Sequence, residues 1–405
     1  MTSARRRRIL IASRIFAPET AAASFRLRAL AASLAEGGAQ VAVLTTTPPP
    51  GAAADPAIPR VRVRRWPVLR DASGYVRGYV QYLSFDVPLA LRLLLVSRPD
   101  VVVVEPPPTT GLVVRVICGL RRIPYVYYAA DIWSDAASSV AVSSLVVRVL
   151  RRVEAGVLSG AAAVVAVNGA LAERVQQLAP RARVEVVGNG VDTSVFRAAE
   201  PGSAGSPRVD PRPTAIYAGT TSEWQGADIF VRAMPAVLER VPDARLVFLG
   251  QGSAWEALRQ TARELGLGDA VRFEGLVPPA EAAERIVAAR TSVVSLMPGQ
   301  GYDFALPTKV LASLACGTPV VFAGPGPVRE LLASAPSTPG AGRAVDYEIH
   351  QVADALAEAL SSPWTRAERE SLGAWAEENV SLDGVARRVR DVIGSVDRAA
   401  ASRRT

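Results

Sequence analysis

Short apolar runs alternate along the chain with segments of helical period. The first run, ILIAS, is followed by the amphipathic segment FRLRALAASLAEGG and then by a second run, QVAVLTTT. A strand, a helix of about ten residues and a second strand form a βαβ unit. The alternation continues through DVVVVEPPP and AAAVVAVN. Valine-rich strands between amphipathic helices predict a parallel sheet with helices on both faces.

A stretch rich in Pro, Gly and Ser, DTSVFRAAEPGSAGSPRVDPRP, interrupts this alternation before it restarts at TAIYAG. Such a composition without hydrophobic period is typical of a linker. The sequence therefore predicts an α/β protein of two doubly wound, Rossmann-like domains that face each other across a cleft. The predicted boundaries are residues 1–195 for the N-terminal domain, 196–212 for the linker, 213–380 for the C-terminal domain and 381–405 for a C-terminal helix, for which packing on the N-terminal domain is one option.

Composition and charge argue against several classes of protein. No apolar run reaches the ~18 residues of a spanning helix, and the run ILIAS ends at Arg14, too early for a signal peptide. We therefore expect a cytoplasmic protein. A net charge of +8 is compatible with binding to nucleic acid, to an anionic membrane or to a phosphorylated substrate. The basic residues are widely spread without a zinc-finger, basic-zipper or RNP pattern, so we expect no nucleic acid partner.

Two common nucleotide motifs are missing from the sequence. The loop after the first strand, IFAPETAAASFR, contains no glycine, although a dinucleotide-binding fold needs G-x-G-x-x-G there. The chain also lacks G-x-x-x-x-G-K-S/T, the phosphate loop of common NTPases. These absences argue against bound NAD or FAD and against an ordinary NTPase.

Lys309 is the only lysine, although Lys and Arg together number 46. Pro307 and Thr308 are helix start signals, which place Lys309 in the first turn of a short helix that ends at Gly317. A helix N-terminus is a site for phosphate, whereas a cation there costs about 0.3–1 kcal/mol unless an anion also binds. The position therefore favours an anion site, and a solvated lysine present by chance is the alternative.

Asp131 follows the apolar strand YVYYAA directly. Because the carboxyl ends of parallel strands open into the ligand crevice, this carboxylate could orient a sugar hydroxyl or accept a proton. A structural role as a helix N-cap is the alternative that the residues leave open.

Six segments in order resemble the retaining GT-B nucleotide-sugar glycosyltransferases of family 4, in particular those that act on bacterial cell-envelope sugars. They begin at FAPETAAASFR, EPPPTTG, ADIWSD, NGVDTSVF, YAGTTSEWQG and LPTKVLASLACG, and they cover nearly the whole chain. The resemblance implies that the C-terminal domain binds the donor and the N-terminal domain binds the acceptor. It also implies transfer with retention, without a cofactor or a bound metal, because protein cations and helix N-termini stabilise the departing diphosphate.

The same resemblance assigns roles to individual residues. Its catalytic residues are Asp131 and Lys309, with Lys309 as the partner of the leaving group. The donor-binding residues that it implies are Gly219, Thr220, Thr221, Gln225, Gly250, Asp303, Phe304, Ala305, Leu306, Pro307 and Thr308. The acceptor-binding residues that it implies are Glu19, Arg26 and Trp133.

The chain departs from the family pattern at several positions. Thr220 and Gln225 stand where many members have Arg and Lys, and Ala130 stands where a histidine is frequent. The E-x7-E pair of the family maps to Phe304 and Ala312, so the glutamate that bonds the nucleotide ribose is replaced by alanine.

The function expected from the sequence is transfer of a sugar from a nucleoside-diphosphate donor, with UDP favoured, to a hydroxyl acceptor. The acceptor is either a lipid-linked saccharide or a secondary metabolite, as in polysaccharide or natural-product biosynthesis. The basic segment SSLVVRVLRRVEAGVLSG either rests on anionic lipid at the inner membrane face or forms a solvated basic surface. A catalytically weak homologue that serves as a binding or activating partner is the rival hypothesis.

Overall fold

The computed structural model describes residues 6–19, 21–49, 52, 57–71, 76, 78–138, 143–198, 212–335 and 340–402. They form two compact units. The first contains the chain up to Gly188 and again from Leu382 onward, and the second contains Asn189–Ser381. No helix within the described ranges combines the length and the apolar character needed to cross a membrane.

The first unit is a parallel sheet with the strand order β3-β2-β1-β4-β5-β6-β7. Its strands are β1 Arg8–Ala12, β2 Gln40–Thr46, β3 Val61–Trp66, β4 Val101–Val104, β5 Tyr125–Ala129, β6 Ala163–Ala166 and β7 Val184–Val186. Its helices are α1 Ala22–Glu36, α2 Tyr79–Leu95, α3 Pro108–Arg121, α4 Trp133–Ser138, α5 Ser144–Gly160, α6 Gly169–Leu178 and α14 Leu382–Ser402. The central strands β4, β5 and β6 are buried along their whole length, as expected for a sheet covered on both faces.

The second unit is a smaller parallel sheet with the strand order β10-β9-β8-β11-β12-β13. Its strands are β8 Thr214–Ala218, β9 Arg245–Leu249, β10 Val271–Glu274, β11 Thr291–Ser295, β12 Val320–Ala323 and β13 Gly342–Val345. Its helices are α7 Asp228–Arg240, α8 Trp255–Glu264, α9 Pro279–Ala288, α10 Thr308–Ala315, α11 Val328–Ser334, α12 Ile349–Ser361 and α13 Arg366–Val380. Both units are thus doubly wound α/β domains.

Each sheet reverses its strand order once, and this reversal places the loops of interest. In the first sheet the reversal lies between β1 and β4, and in the second it lies between β8 and β11. Ligands of open α/β sheets bind at the carboxyl ends of the strands beside such a switch point. A ligand site is therefore expected at the loops that follow β1, β4, β8 and β11.

The chain passes between the units at different residues from those that the sequence predicts. The first passage follows Gly188, whereas the sequence places the end of the first domain at residue 195. The amide of Val191 donates to the carbonyl of Val380, and Phe196 packs on a core of the second unit. These contacts attach the segment after Gly188 to the second unit. Residues 199–211 of the predicted linker lie outside the described residues.

The C-terminal helix α14 belongs to the first unit, in whose core Val385, Val389 and Ile393 are buried. The Arg388 side chain on this helix also donates to the carbonyl of Val187, at 3.0 Å.

Candidate functional site

Lys309 lies at the switch point of the second sheet, in the first turn of α10. Its Nζ donates to the hydroxyl of Tyr217 at 2.6 Å and to the carbonyl of Thr220 at 2.9 Å. The ammonium also lies 4.0 Å from the centre of the Tyr217 ring. The structure therefore brings together the β8 loop and the start of α10, two segments that are 89 residues apart in sequence.

No acidic side chain is among the contacts described for the Lys309 ammonium. The interactions described for its ammonium are with neutral groups, and desolvation by the surrounding protein lowers the pKa of Lys309 from 10.5 to about 7. The first turn of α10 contains no acidic residue, and Pro307 at its N-cap supplies no capping side chain. An anion bound here would stabilise both the ammonium and the helix N-terminus.

This pKa gives a prediction for ligand binding. We expect a nucleoside diphosphate to bind with proton uptake near pH 8, because free Lys309 is mostly neutral there and a bound diphosphate raises its pKa. Affinity should rise as the pH falls toward about 7 and gain nothing more from Lys309 at lower pH, where the free lysine is already charged.

Isothermal titration in two buffers of different ionisation enthalpy measures this uptake, and Lys309→Met is the control. The ionisation of the ligand is common to both proteins, so the difference between them isolates Lys309. Equal proton uptake by the two proteins at pH 8 would contradict the assignment.

Two glycines let the loops after β8 and β9 pack backbone against backbone. A Cβ atom on Gly250 would lie 2.4 Å from the carbonyl oxygen of Gly219, and one on Gly252 would lie 1.9 Å from that of Thr221. The amide of Thr221 donates to the carbonyl of Gln251 at 2.9 Å. The β9 loop thus supports the segment that contacts Lys309.

We expect Gly252→Ala to destabilise the second unit by about 2–3 kcal/mol, because the new Cβ cannot fit against the Thr221 backbone. At roughly 2–4 °C per kcal/mol the Tm should fall by about 4–12 °C. Differential scanning calorimetry checks this, with Gly275→Ala as the matched control, since open space surrounds Gly275. Equal Tm values for the two variants would show that the β8 and β9 loops do not depend on this close approach.

The Oε1 atom of Gln225 has a structural role, and donor binding by this residue stays a prediction. This oxygen accepts hydrogen bonds from the amide of Ser222 at 3.1 Å and from the hydroxyl of Tyr217 at 3.0 Å. Ser222 and Gln225 form a capping box around the 3-10 turn Glu223–Gln225. The S-x-x-Q spacing is a sequence signature of this box and could have identified it.

Thr220 and Thr221 present different groups. The carbonyl of Thr220 accepts from Lys309, so its contribution to the described contacts comes from the backbone. The Oγ1 atom of Thr221 is buried, and no partner for it is found among the described residues.

The loop between β11 and α10 is held by its own contacts. The carboxylate of Asp303 accepts from the amide of Gly299, and Tyr302 stacks on Trp224 with ring centroids 4.3 Å apart. Ala305 and Leu306 pack partly against the core beneath α10. The remaining predicted donor residues have simple positions: Phe304 is half-buried, Pro307 is the N-cap of α10, and Thr308 is exposed as its first residue.

Ala312 is only 7% exposed and packs in that same core. The position to which the sequence resemblance assigns a ribose-binding glutamate thus faces apolar side chains in this chain.

In the first unit, Arg26 is committed to an ion pair. Its Nη2 and Nε atoms donate to one carboxylate oxygen of Glu105, at 2.6 and 3.0 Å, and both side chains are buried. The guanidinium also lies 4.9 Å from the ring centre of Tyr128. These contacts give Arg26 a structural role, and its role in acceptor binding stays a prediction. Glu105 follows β4 directly and could have been identified by the strand-end argument that singled out Asp131.

Trp133 belongs to an aromatic cluster around a second buried arginine. Tyr82 meets Trp133 edge to face at 5.7 Å, and the guanidinium of Arg14 lies 4.4 Å from the ring centre of Tyr82. Arg14 donates to the carbonyl of Val76 at 2.8 Å. Burial lowers the pKa of Arg14, which is partly offset by Tyr82 and Asp86. Sequence inspection missed Arg14, which follows β1 at the switch point.

Asp131 lies exposed at the end of β5, as the sequence predicts. Desolvation by the neighbouring protein raises the pKa of this carboxyl group, and Arg26 partly counteracts the rise. The helix-cap alternative does not hold for α4. The carboxylate of Glu154 accepts from the amides of Trp133 and Ser134, at 2.9 and 3.0 Å.

Glu19, the third predicted acceptor residue, is paired with Arg70 at 3.1 Å and accepts from the hydroxyl of Thr46 at 3.2 Å. It lies in the loop after β1, so all three predicted acceptor residues are in the first unit, although Glu19 and Arg26 already have charged partners.

Within the described ranges, no group of three or more His, Cys, Asp or Glu side chains is arranged to hold a metal ion. The expectation that neither a metal nor a cofactor is required stays a prediction.

Comparison with known proteins identifies the family. A model described as a glycosyl transferase 4-like domain matches residues 22–190, and one described as glycosyl transferases group 1 matches residues 212–362. The first range contains the Arg26 and Asp131 positions, and the second contains the loops around Lys309. The chain therefore belongs to the GT-B glycosyltransferases of family 4.

Curated relatives match parts of the chain. A GDP-mannose-dependent alpha-(1-6)-phosphatidylinositol monomannoside mannosyltransferase of Mycobacterium tuberculosis is 30% identical, over 54% of this chain and 58% of its own length. A D-inositol 3-phosphate glycosyltransferase of Kribbella flavida is 34% identical, over 49% of this chain and 47% of its own. The chain thus spans about half the length of the curated relatives it matches.

Solved structures share the fold. Sucrose-phosphate synthase from Thermosynechococcus elongatus has a TM-score of 0.73 at 18% identity, covering 97% of this chain and 100% of its own. HepE of Anabaena, in complex with UDP and glucose, has a TM-score of 0.68 at 16% identity, covering 96% and 100%.

Proposed function

We propose that this protein transfers a sugar from a nucleoside-diphosphate donor to a hydroxyl acceptor with retention of configuration. The observation that carries the proposal is the position of Lys309 at the switch point of the second sheet, 2.9 Å from the Thr220 carbonyl and in the first turn of α10. A cation and a helix N-terminus at one point suit a diphosphate.

The chemistry follows from this arrangement. When the bond between the anomeric carbon and the β-phosphate oxygen breaks, negative charge accumulates on the diphosphate. Lys309 and the N-terminus of α10 stabilise that charge. In many enzymes a fixed electrostatic environment of this kind makes the largest single contribution to the rate enhancement. Retention requires the acceptor oxygen to bond the anomeric carbon on the face that the diphosphate leaves. Asp131 in the first unit is proposed to orient a sugar hydroxyl or to accept its proton.

The donor nucleotide has two candidates. The sequence resemblance favours a UDP sugar, whereas the Mycobacterium tuberculosis relative is named as GDP-mannose-dependent. Ala312 removes the usual ribose carboxylate, so the choice of nucleotide must depend on other contacts. We propose to test GDP-mannose and UDP sugars side by side.

The acceptor is proposed to be a lipid-linked saccharide or a small hydroxylated metabolite. The names of the two relatives point to a phosphatidylinositol mannoside and to an inositol phosphate, respectively. Both are polyol derivatives that carry phosphate, which makes them suitable first acceptors for an assay.

A thermal-shift screen with UDP, GDP, TDP and ADP is the first experiment. A ligand at about 100 times its Kd stabilises by about 2.7 kcal/mol, which corresponds to a rise in Tm of roughly 5–10 °C. Transfer from the sugar of the best nucleotide is then followed by mass spectrometry, and the anomeric configuration of the product is read by NMR. An inverted product would contradict retention.

The rival function is that of a catalytically weak partner protein. The specific observation in its favour is that Gln225 and Ala312 contact the fold's own groups at positions to which the sequence resemblance assigns donor contacts. No change in Tm with any nucleoside diphosphate at millimolar concentration would favour this rival. Transfer from any nucleotide sugar would exclude it.

A further inference from the structure

Three helices of the first unit leave a large apolar surface exposed. Helices α2, α3 and α5 lie side by side. Arg121 of α3 donates to the carbonyl of Leu93 on α2, and Arg115 of α3 lies against Gly156 and Gly160 on α5. We call their exposed side the outer face.

The outer face of α2 is a continuous apolar stripe. Its members recur with a spacing of three to four residues, so they share one side of the helix. They are Val80, Leu83, Val87, Leu91, Leu94 and Leu95, each between 45% and 85% exposed. Phe85, Leu89 and Leu93 are buried on the opposite side, in the core of the sheet. The stripe therefore points away from the sheet and is not needed for the core.

The neighbouring helices extend this surface. Leu112, Val116 and Leu120 are exposed at intervals of four residues on α3. Leu145 and Val149 are exposed on α5. An exposed apolar surface on three adjacent helices is unusual for a protein in water and marks an interaction site.

The charges on the three helices indicate what covers the outer face. Only two acidic residues occur in the three helices, Asp86 and Glu154, and both are buried. The exposed charges of these helices are arginines, with Arg115 on α3 and Arg148 and Arg152 on α5. Arg151 on α5 is also exposed but lies 3.9 Å from the carboxylate of Asp135 on α4. The outer face thus combines apolar side chains with cations and presents no carboxylate of its own.

We propose that the outer face of α2, α3 and α5 docks on the surface of a bilayer that contains anionic lipids. Its leucines and valines would enter the boundary between headgroups and acyl chains, and its arginines would meet lipid phosphates. A second copy of the chain fits less well, because a symmetric contact through α5 would bring arginines against arginines.

The docking surface adjoins the acceptor side of the proposed enzyme. On α2, Tyr82 contacts Trp133 and the Arg14 guanidinium, and the next residue, Leu83, belongs to the stripe. Docking would therefore hold this cluster close to the lipid. This step rests on the proposed function and favours the lipid-linked class of acceptor. Docking itself does not depend on transfer.

Vesicle flotation of the full chain tests the proposal. We compare neutral phosphatidylcholine vesicles with vesicles that also contain about 30% phosphatidylglycerol. We expect binding to the anionic vesicles that weakens with salt. Arg148→Gln with Arg152→Gln should reduce the binding constant about 25-fold, at about fivefold per arginine near an anionic surface. Leu83→Gln with Leu91→Gln should reduce it at least tenfold, by loss of apolar contact.

Matched controls come from the second unit. Arg259 and Arg263 on α8 have the same spacing of four residues, and Leu276 is an exposed leucine. Arg259→Gln with Arg263→Gln and Leu276→Gln should leave vesicle binding unchanged. Thermal unfolding and nucleoside-diphosphate binding confirm that each variant is folded.

Several results would overturn the proposal. They are no binding to anionic vesicles, equal binding to neutral vesicles, and equal losses in the outer-face and control variants. Light scattering without lipid provides a further check, since a dimer that the Leu83→Gln and Leu91→Gln pair dissociates would assign the face to a second copy. Vesicle binding without any sugar transfer would support the proposed docking surface but contradict the proposed transferase function.

Discussion

Replacement of Lys309 by methionine is expected to lower kcat by about 10²–10³-fold, the loss typical when one preorganised donor to a developing anion is removed. The chain has no second lysine, and Met keeps the length of the side chain without its charge. Steady-state kinetics with the preferred donor measures the effect. Lys309→Arg should recover part of the rate, because it restores a cation.

The loss should not come from unfolding. Lys309 is partly desolvated in the fold, and its folded pKa of about 7 lies below the ordinary 10.5. Between these values the unfolded chain binds the extra proton, so the free energy of unfolding rises with pH. The contribution of Lys309 to this free energy is therefore least favourable below pH 7. Lys309→Met should therefore keep or raise the Tm at pH 7. Arg272→Met, an exposed cation on β10, is the control for an unspecific charge effect. Unchanged kcat in Lys309→Met would refute the role of the lysine.

Replacement of Arg26 by methionine is expected to destabilise the first unit by about 3–5 kcal/mol. Glu105 loses its partner inside the protein, and breaking a buried ion pair from one side leaves an uncompensated carboxylate. Chemical denaturation measures the free energy of unfolding. The double variant Arg26→Met with Glu105→Gln should recover part of the loss, because no charge is then left unpaired.

The variant should also show a characteristic pH dependence. Burial raises the pKa of Glu105, and Arg26 partly counteracts this rise. Without Arg26 the carboxyl group prefers its protonated form in the fold, so stability should fall as the pH rises through the raised pKa. Arg26→Met should therefore be less damaging at pH 5 than at pH 8. If Arg26 bound only the acceptor, the variant would keep wild-type stability and raise KM.

The sequence predicted the parts of this protein that depend on local pattern. Valine-rich strands between amphipathic helices gave two doubly wound domains. The Pro307 and Thr308 signals placed Lys309 in the first turn of a helix that the structure finds at Thr308–Ala315. Asp131 was expected at the end of a strand and lies two residues beyond the end of β5. Such features follow from hydrophobic period and helix start signals within a few residues.

Pairings over long distances in sequence could not be predicted in this way. Arg26 and Glu105 are 79 residues apart, and only the fold decides that the carboxylate reaches the arginine rather than an acceptor. The same holds for Tyr217, which is 92 residues from Lys309 and whose hydroxyl accepts from its ammonium. The passage between the units was misplaced for a related reason. A composition rich in Pro, Gly and Ser marks irregular chain, but Val191 and Phe196 already pack with the second unit.

The most direct test is a crystal structure of the chain with the nucleoside diphosphate that gives the largest thermal shift. We expect the β-phosphate within hydrogen-bond distance of Lys309 Nζ and at the amides of the first turn of α10, close to Gly219 and Thr220. A diphosphate bound elsewhere, with Lys309 still donating to Tyr217 and Thr220 alone, would contradict the central claim that this lysine receives the leaving group.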